Sequence, residues 1–386
     1  MLPGRGPAAG ARAADRRPGH ATGRHDRSPT DRPDGRAADR QVGHSADRQP
    51  DRRPGRASGP AVEPPPVVLG IDFGASKIAA AACGTDGTLL ASRTVPTKAG
   101  SGARAVFDRG VRAARGLLDM AEGCELAAVG VSTVGIPFAD RVELAPTIPG
   151  WDDFALGEQL HAAFAGAEIR LATDVKAAAC AEARWGALAG CDPAVYLNLG
   201  TGLAAAIVVG GKVLAGKHGA AGEIGYNLRG IGDVGLTINE RTLLEHRVSG
   251  QALSRRAAQT LRGRADAAEI FQSSGALSEL VDEFVAELAY HLVNLAILVD
   301  PQRIAVGGGM VRSWERLRPG LRTALAAGVP FPPELVIAAF PFDAPLMGAI
   351  ALAAEAAGEL PGARRGGANN PATPEPAATA GASIQH

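Results

Sequence analysis

The chain has 386 residues, with 40 Lys and Arg against 40 Asp and Glu, 50 Gly, 27 Pro and only 4% aromatic residues. A formal net charge of zero argues against a nucleic-acid-binding or membrane-surface protein, because such partners usually require a net basic surface. This net charge of zero is the sum of a basic N-terminal segment and an acidic remainder. Residues 1–60 contain 13 Arg, no Lys and 7 Asp, a net charge of +6, so the remainder carries −6.

Residues 1–65 are predicted to form a disordered Arg/Pro/Gly-rich extension, because a segment with no aromatic residue and almost no aliphatic side chain larger than Ala cannot offset the entropy of ordering the chain. It lacks the apolar core of a signal peptide, and its Asp residues disfavour a transit peptide. Two interpretations stay open: a functionless extension, and a basic arm that contacts an anionic partner. The Gly/Ala/Pro-rich tail at 361–386 is also predicted to be disordered.

The remaining body is long enough for two lobes around a cleft. It contains no apolar run of the roughly 18 residues that a membrane span needs. The four cysteines are far apart and form no CxxC pair, which predicts reduced thiols in a cytoplasmic protein. They are Cys83, Cys124, Cys180 and Cys191.

The body begins with a predicted strand–turn–strand unit. The apolar run VVLGIDFG predicts a strand buried on both faces, GTDG at 84–87 a tight turn, and LLASRTVP at 89–96 a second strand. Later helices are predicted at 103–122, 154–164, 177–188 and 277–299, and later strands at 126–135, 168–174, 194–214 (two strands turning at 200–202) and 303–309. Strands that alternate with helices indicate an α/β protein.

Three Gly-rich turns each follow an apolar strand. They are Asp72-Phe73-Gly74-Ala75-Ser76-Lys77, Gly200-Thr201-Gly202 and Gly307-Gly308-Gly309. Glycine lets a ligand approach backbone N–H groups closely. None of the three fits GxxxxGK[ST] or GxGxxG, so neither a P-loop nor a dinucleotide-binding fold is indicated. One such turn alone is better explained by a strand ending in glycine so that the chain can turn, but three together predict a nucleotide site.

Three carboxylates are candidates for the chemistry. Asp174 lies between a predicted strand and a predicted helix, where it is either a helix N-cap or a general base. Glu223 and Glu245 are either solvated surface charges or acceptors for the vicinal hydroxyls of a sugar, since an ionised carboxylate accepts several O–H donors. His291 and Asn294 form a further polar pair on the 277–299 helix, and we expect them to be satisfied polar residues of a packed helix or subunit contact.

These motifs together resemble the ROK family of sugar kinases, in the actin-like, hexokinase-like ATPase superfamily. The resemblance runs in order from Val67 to Ala354. VVLGIDFGASKIA is similar to the family's first phosphate motif and TDVKAAACAE to its catalytic-base segment. YLNLGTG running into GAAGEIGY is similar to the second phosphate motif and a sugar-binding segment. Five further segments are similar to motifs of the family: VGVSTVGIP, APTIPGW, LLEHRVSG, IAVGGGMV (the adenosine motif) and PLMGAIALA.

The resemblance implies a two-lobed actin-like ATPase (ribonuclease H-like) fold with nucleotide and sugar in the cleft between the lobes. The small α/β lobe would span 66–170, completed by a helix at 343–360, and the large α/β lobe would span 171–342. A homodimer is also implied, with a small-molecule hexose as partner and neither nucleic acid nor membrane.

The implied activity is transfer of the γ-phosphoryl group of ATP to a hexose hydroxyl, glucose being the expected substrate and polyphosphate an open alternative donor. Asp174 would be the general base, and Asp72 would lie near Mg²⁺ through water. The implied sugar-binding residues are Glu223, Glu245, Thr173 and Tyr226. The implied nucleotide-binding residues are Asp72, Gly74, Ser76, Lys77, Gly200, Thr201, Gly202, Gly307, Gly308 and Gly309.

Some positions depart from the family pattern. Tyr226 stands where many members have a zinc-binding His, and residues 227–244 contain no Cys or His, so no zinc site is predicted. Thr173 and Thr147 replace Asn, and Phe138 replaces Gly. We expect these changes to fall around the sugar rather than the nucleotide.

Two alternatives to a kinase stay open. One is a degenerate sugar-binding protein without turnover, which the departures from the pattern suggest. The other is a sugar-responsive transcriptional regulator of the same family. Regulators carry an N-terminal helix-turn-helix, which residues 1–60 cannot form because they lack apolar triads at helical spacing. They also often lose the catalytic Asp, which is present here as Asp174.

Overall fold

A computed structural model describes residues 65–120, 123–261, 270 and 275–359. All of these belong to one compact unit that spans residues 62–386. The predicted disordered extension (apart from Pro65) and the predicted disordered tail lie outside the described residues. No helix in the described part of the chain is long and apolar enough to cross a membrane.

The strands and helices follow one another along the whole body. The strands are β1 (Pro66–Phe73), β2 (Lys77–Gly84), β3 (Leu89–Pro96), β4 (Glu125–Thr133), β5 (Ile136–Pro137), β6 (Val142–Glu143), β7 (Glu168–Thr173), β8 (Ala194–Leu199), β9 (Leu203–Val209), β10 (Lys212–Val213), β11 (Arg303–Gly307) and β12 (Glu334–Ile337). The helices are α1 (Ala103–Leu118), α2 (Leu156–Ala163), α3 (Asp174–Trp185), α4 (Gly250–Leu261), α5 (Ala276–Val299), α6 (Trp314–Gly328) and α7 (Ala344–Glu359).

The strands form two five-stranded sheets of the same topology. The first sheet has the order β3-β2-β1-β4-β7 and the second the order β10-β9-β8-β11-β12. In each sheet the first three strands are antiparallel and the last three are parallel. The carboxyl ends of the parallel strands therefore meet at one edge of each sheet, which is where open α/β sheets bind ligands.

Helices cover both faces of each sheet. One face of the first sheet packs on α1 and α2, and its other face packs on α7. The second sheet packs on α3 at one face and on α4, α5 and α6 at the other. Since α3 also packs closely on α7, these two helices form the layer between the sheets. The expectation that β1 is buried on both faces is confirmed, because seven of its eight residues are buried.

Glycines allow α7 to lie directly on its neighbours. Gly70 of β1 and Gly130 of β4 are paired in register, and a methyl group would clash with Ile350 of α7 at the first position and with the Ala349 backbone of α7 at the second. On α7 itself, a methyl group on Gly348 would clash with the Ala177 carbonyl of α3. The close α3–α7 contact therefore depends on the absence of a side chain at Gly348.

The predicted elements are found near their expected positions, with three kinds of difference. Helix α3 begins at Asp174 rather than 177, because Thr173 caps it. The predicted helix at 103–122 ends at Leu118, and the strand at 303–309 ends at Gly307. Elements β2, β10, α4, α6 and β12 are additional to those predicted, as is the small β5–β6 ribbon.

Two further expectations concern the cysteines and the polar pair on α5. The four cysteines are free thiols, as predicted. His291 and Asn294 do not act as one polar site, since His291 is buried and Asn294 is exposed. Among the described residues His291 Nε2 has no hydrogen-bond partner, so packing within the chain does not satisfy it, and the alternative of a subunit contact stays a prediction.

Candidate active site

Two acidic residues lie at the carboxyl edge of the first sheet. Asp72 pairs in register with Ser132 of β4, and Thr133 pairs with Thr173 at the end of β7, directly before Asp174. The parallel register of the strands thus brings residues from distant parts of the sequence to one edge. This edge is the floor of the candidate site.

Asp72 is a buried acid, only 7% exposed, whose Oδ1 accepts a hydrogen bond from Ser132 Oγ at 2.9 Å. Its pKa is raised to about 7, chiefly because burial disfavours the charged carboxylate. The Ser132 bond lowers this pKa, and the nearby charge of Asp174 raises it further. The two acids are therefore close enough to influence each other electrostatically.

Asp174 opens helix α3 without capping it. The N-cap is Thr173, whose Oγ1 accepts a hydrogen bond from Lys176 N at 3.3 Å. The interpretation of Asp174 as the N-cap is therefore wrong, because its Oδ1 accepts from the adjacent Val175 N at 2.8 Å. Burial raises the pKa of Asp174 to about 6; the Val175 N–H opposes this shift and the charge of Glu223 adds to it. At neutral pH this carboxylate is therefore largely ionised, and its raised pKa makes it a better proton acceptor than an ordinary Asp.

A cavity of about 180 Å³ brings the predicted sugar-binding residues together. Its lining includes Thr173, Asp174, Glu223, Tyr226 and Glu245. We call it the carboxylate cavity. Its volume is below the ~300–1,000 Å³ of sites for drug-sized ligands, which favours a small polar molecule.

Among the described residues, one partner is found for each glutamate of the carboxylate cavity. Glu245 Oε2 accepts from Leu203 N at 2.8 Å, which leaves Oε1 available. Glu223 Oε1 lies 3.4 Å from Lys176 Nζ, and both side chains are largely buried. Burial raises the pKa of Glu223, and the Lys176 ammonium opposes this shift. Tyr226 lies close to both glutamates. Burial raises the pKa of its hydroxyl, and the negative charges of Glu245 and Glu223 raise this pKa further.

An ion-pair network on α5 holds the two segments that carry Tyr226 and Glu245. Glu287 accepts from Arg229 Nε at 2.5 Å and from Arg247 Nε at 3.3 Å. The first of these arginines is three residues after Tyr226 and the second is two after Glu245. Glu287 is only 17% exposed, so solvent screens these pairs less than surface pairs.

The second and third Gly-rich turns lie against each other. The second turn is also held by Gly250, the first residue of α4, whose N–H donates to the Gly200 carbonyl at 2.8 Å. A methyl group on Gly308, which has φ +89°, would clash with the backbone of Leu199 and Gly200. A side chain on Gly202 would clash with Glu245 Oε2. This close backbone packing joins the two turns to the carboxylate cavity.

The first Gly-rich turn is joined by an ion pair to the segment before α7, and the same segment accepts a hydrogen bond from the third turn. Gly74 N donates to the Lys77 carbonyl at 3.1 Å, and the backbone of Ser76 accepts from Thr97 N at 3.0 Å. Lys77 Nζ lies 3.1 Å from Asp343 Oδ1, two residues after Pro341, whose carbonyl accepts from Gly308 N. Lys77 and Asp343 are both exposed, which leaves this side of the site open to solvent.

A ROK family model matches residues 68–356, which is most of the chain. The chain belongs to the ROK family. Among relatives, the kanosamine kinase of Amycolatopsis mediterranei is 33% identical over 253 residues, covering 62% of this chain and 81% of that protein. The crystal structure of a ROK hexokinase from Thermus thermophilus is 30% identical, has a TM-score of 0.65, and covers 74% of this chain and 97% of that one.

A ROK family glucokinase from Streptomyces griseus, solved in complex with glucose and AMPPNP, is 28% identical to this ROK protein. The superposition has a TM-score of 0.59 and covers 75% of this chain and 99% of that one. These similarities confirm the predicted two-lobed actin-like ATPase fold. The two sheets of identical topology are its repeated unit.

The departures from the ROK pattern fall in two groups in this structure. Thr173 and Tyr226 line the carboxylate cavity. Thr147 and Phe138 are not among its lining residues; Thr147 is exposed, and Phe138 packs under the Arg141 guanidinium at 4.8 Å. The expectation that all four changes surround the sugar therefore stays a prediction, and Thr173 and Tyr226 are the two that line this cavity. Among the described residues, no three His, Cys, Asp or Glu side chains are placed to hold a metal ion together.

Two residues of the site were not predicted. Lys176 pairs with Glu223, and Asn198 of β8 lines the carboxylate cavity. Both have a signal in the sequence. Lys176 is the one charged side chain in the apolar stretch VKAAAC, and Asn198 interrupts the apolar strand YLNL directly before a glycine turn.

Proposed function

We propose that this protein transfers the γ-phosphoryl group of ATP to a hydroxyl group of a hexose, with glucose as the expected substrate. The observation that carries the proposal is the position of Asp174, a largely buried carboxylate that shares a cavity with Glu223 and Glu245 beside a glycine turn. Three similar proteins support it: a kanosamine kinase, a ROK hexokinase, and a glucokinase solved with glucose and AMPPNP.

In this proposal Asp174 takes the proton of the attacking hydroxyl. Its Oδ1 is engaged by Val175 N, so Oδ2 is the oxygen that accepts the proton. Thr173 fixes the first turn of α3 and therefore the direction of the carboxylate. A positioned base of this kind contributes ~10²–10⁴ in rate.

Glu223, Glu245 and Tyr226 hold the sugar ring. Glu245 Oε1 and the second oxygen of Glu223 are available to accept sugar hydroxyls, because backbone or lysine donors engage the other oxygens. The Tyr226 hydroxyl both donates and accepts, so it can replace a His contact. Lys176 keeps Glu223 ionised, and only the ionised form accepts hydrogen bonds with both oxygens.

The three Gly-rich turns hold the nucleotide. We propose that backbone N–H groups of residues 74–77 and 200–202 contact its phosphates, with the side chains of Ser76, Lys77 and Thr201, and that residues 307–309 approach the adenosine. We further propose lobes of 66–170 with 343–360, and of 171–342, that close on both substrates. Phosphoryl transfer depends mainly on positioning and on charge stabilisation, which closure would provide.

The chemistry of Asp72 fits a magnesium ion held with ATP. A buried carboxylate with a pKa raised to about 7 gains most from a nearby cation. Mg²⁺ prefers oxygen ligands and usually binds through one or two carboxylates plus water and substrate phosphates. Mg²⁺ would neutralise charge on the transferred phosphate, and Ser132 would fix the Asp72 carboxylate through its hydrogen bond.

The test is a coupled assay of ADP release with a panel of glucose, mannose, fructose and N-acetylated hexosamines. We expect sugar-dependent ADP release that Asp174→Asn lowers by ~10²–10⁴-fold. Asp119→Asn, an exposed site after α1, is the matched control. Polyphosphate in place of ATP tests the donor, with formation of hexose phosphate as the readout, because this donor releases no ADP.

ADP release without any sugar, or unchanged release by Asp174→Asn, would contradict the mechanism. Sugar binding without turnover would favour the degenerate sugar-binding protein instead, an alternative motivated by Thr173 and Tyr226 in the cavity lining. The homodimer and the cytoplasmic location stay predictions.

A further inference from the structure

A second and larger cavity lies beside α3. It has a volume of about 500 Å³, within the ~300–1,000 Å³ range of small-molecule sites. Its walls come from α3, α7, the end of β7, and β10 with the loop that follows it. We call it the basic cavity. Thr173 lines both this cavity and the carboxylate cavity, so the two are neighbours.

Cations dominate the polar lining of the basic cavity. Lys176, Arg184 and Lys212 face one acid, Glu355. Among the described residues, neither Arg184 nor Lys212 has an ion pair with a carboxylate, and the Arg184 guanidinium instead lies 5.2 Å from the Trp185 ring. Both are exposed enough to reach a ligand.

Lys176 is the buried member of this set. Its side chain is 6% exposed, yet its one partner among the described residues is Glu223, at 3.4 Å. That distance is long for a charge-assisted hydrogen bond, which is usually ~2.7–2.9 Å. An ammonium group has three donors, so Lys176 can bind an acceptor in the basic cavity.

The remaining lining is apolar. It includes Leu171, Ala172, Ala183, Val213, Ala351 and Leu352. A matching ligand therefore has a small apolar body and an anionic group with several acceptor oxygens. A phosphate ester has three strongly accepting oxygens for three cations.

We propose that the basic cavity binds a small organic phosphate and that its binding weakens the hold of the carboxylate cavity on the sugar. Lys176 connects the two sites, because its ammonium pairs with Glu223 from the wall of the basic cavity. A bound phosphate that attracts the Lys176 ammonium weakens its ion pair with Glu223, so the Glu223 carboxylate is held less firmly for the sugar. The binding site stands independently, whereas the coupling rests on the proposed function.

The test uses phenyl phosphate as the probe, titrated calorimetrically into the full chain with saturating glucose and AMPPNP, so that the nucleotide site is filled. We expect one saturable site. The double variant Arg184→Gln/Lys212→Gln should weaken it at least tenfold. The control is Arg316→Gln/Arg322→Gln, the same charge change on exposed positions of α6, and it should bind as the unaltered protein does.

Turnover tests the coupling. In the unaltered protein, phenyl phosphate should raise the KM for hexose several-fold with kcat unchanged, and this effect should disappear in Arg184→Gln/Lys212→Gln. No saturable binding, or equal binding by both double variants, would overturn the site. Binding with an unchanged KM would overturn the coupling alone. Absent turnover with intact binding would count against the proposed function and not against the site.

Discussion

Asp174 combines two properties that sequence position alone does not give. It is the first residue of α3, and the side chain of the preceding Thr173 caps the helix, so the carboxylate is not needed as a cap. Burial and the neighbouring Glu223 then raise its pKa to about 6. A base needs a pKa below the working pH to be ionised but close to it to take a proton well, and this value meets both conditions.

The raised pKa of Asp174 predicts an acid limb in the pH dependence of kcat/KM for the hexose. The base must be deprotonated to act, so activity is full above the pKa and falls about tenfold per pH unit below about 6. The measurement is kcat/KM between pH 4.5 and 8.5 at saturating Mg·ATP. The residual activity of Asp174→Asn should lack this limb. An unaltered protein whose kcat/KM is flat from pH 7 to pH 5 would contradict the assignment.

Helices α3 and α7 form the layer between the two sheets, and their contact depends on one glycine. Gly348 is buried against the Ala177 carbonyl of α3. Because α3 carries both Asp174 and Lys176 in its first turn, the position of α7 bears on both cavities. A change at this contact is therefore expected to affect folding and sugar binding together.

Gly348→Ala tests this contact against a control in the same helix. The added methyl meets backbone and not a flexible side chain, so we expect a loss of ~1–3 kcal/mol in the free energy of unfolding. Gly358→Ala, also in α7, meets no atom within 4 Å and should be neutral or stabilise by up to ~1 kcal/mol. Urea unfolding of both variants gives the comparison. Equal effects of the two substitutions would show that α7 does not pack on α3 as described.

The elements that could be predicted from the sequence are those with a strong local signal. Strands β1, β4, β8 and β11 are apolar runs that end at glycine or a polar loop, and α5 is long and apolar at helical spacing. Helix α6 has Pro319 in its interior, which normally indicates a helix end, and it was not predicted. Strand β12 has only four residues, too few for a clear period.

The candidate site was predicted in part for the same reason. Its carboxylates and glycines sit in recognisable motifs, whereas the pairing of Lys176 with Glu223, 47 residues later, depends on how α3 packs on the second sheet. The network around Glu287 likewise joins segments distant in sequence. A residue such as Lys176 can be noticed in the sequence, but which distant residue it pairs with has no local signature.

At the scale of the whole molecule, the carboxylate cavity joins the elements of both sheets. Asp174 follows β7 of the first sheet, while Leu203 begins β9 of the second and anchors Glu245. The residues between β10 and α4 complete the wall and are held to α5 through Glu287. A sugar in this cavity would contact all of these parts at once, so its binding should stabilise the folded chain as a unit.

Hexose alone, without nucleotide, should therefore raise the thermal unfolding temperature. At a concentration of 100 times Kd the stabilisation is ~2.7 kcal/mol, roughly 3–5 °C for a protein of this size. L-glucose is the control, since it has the same osmotic effect but the wrong stereochemistry for the cavity. Asp174→Asn should keep the shift while losing turnover. Glu245→Gln should lose about half of it, because a neutral acceptor weakens hexose binding about tenfold. Equal shifts with D- and L-glucose would contradict a stereospecific sugar site formed by these carboxylates.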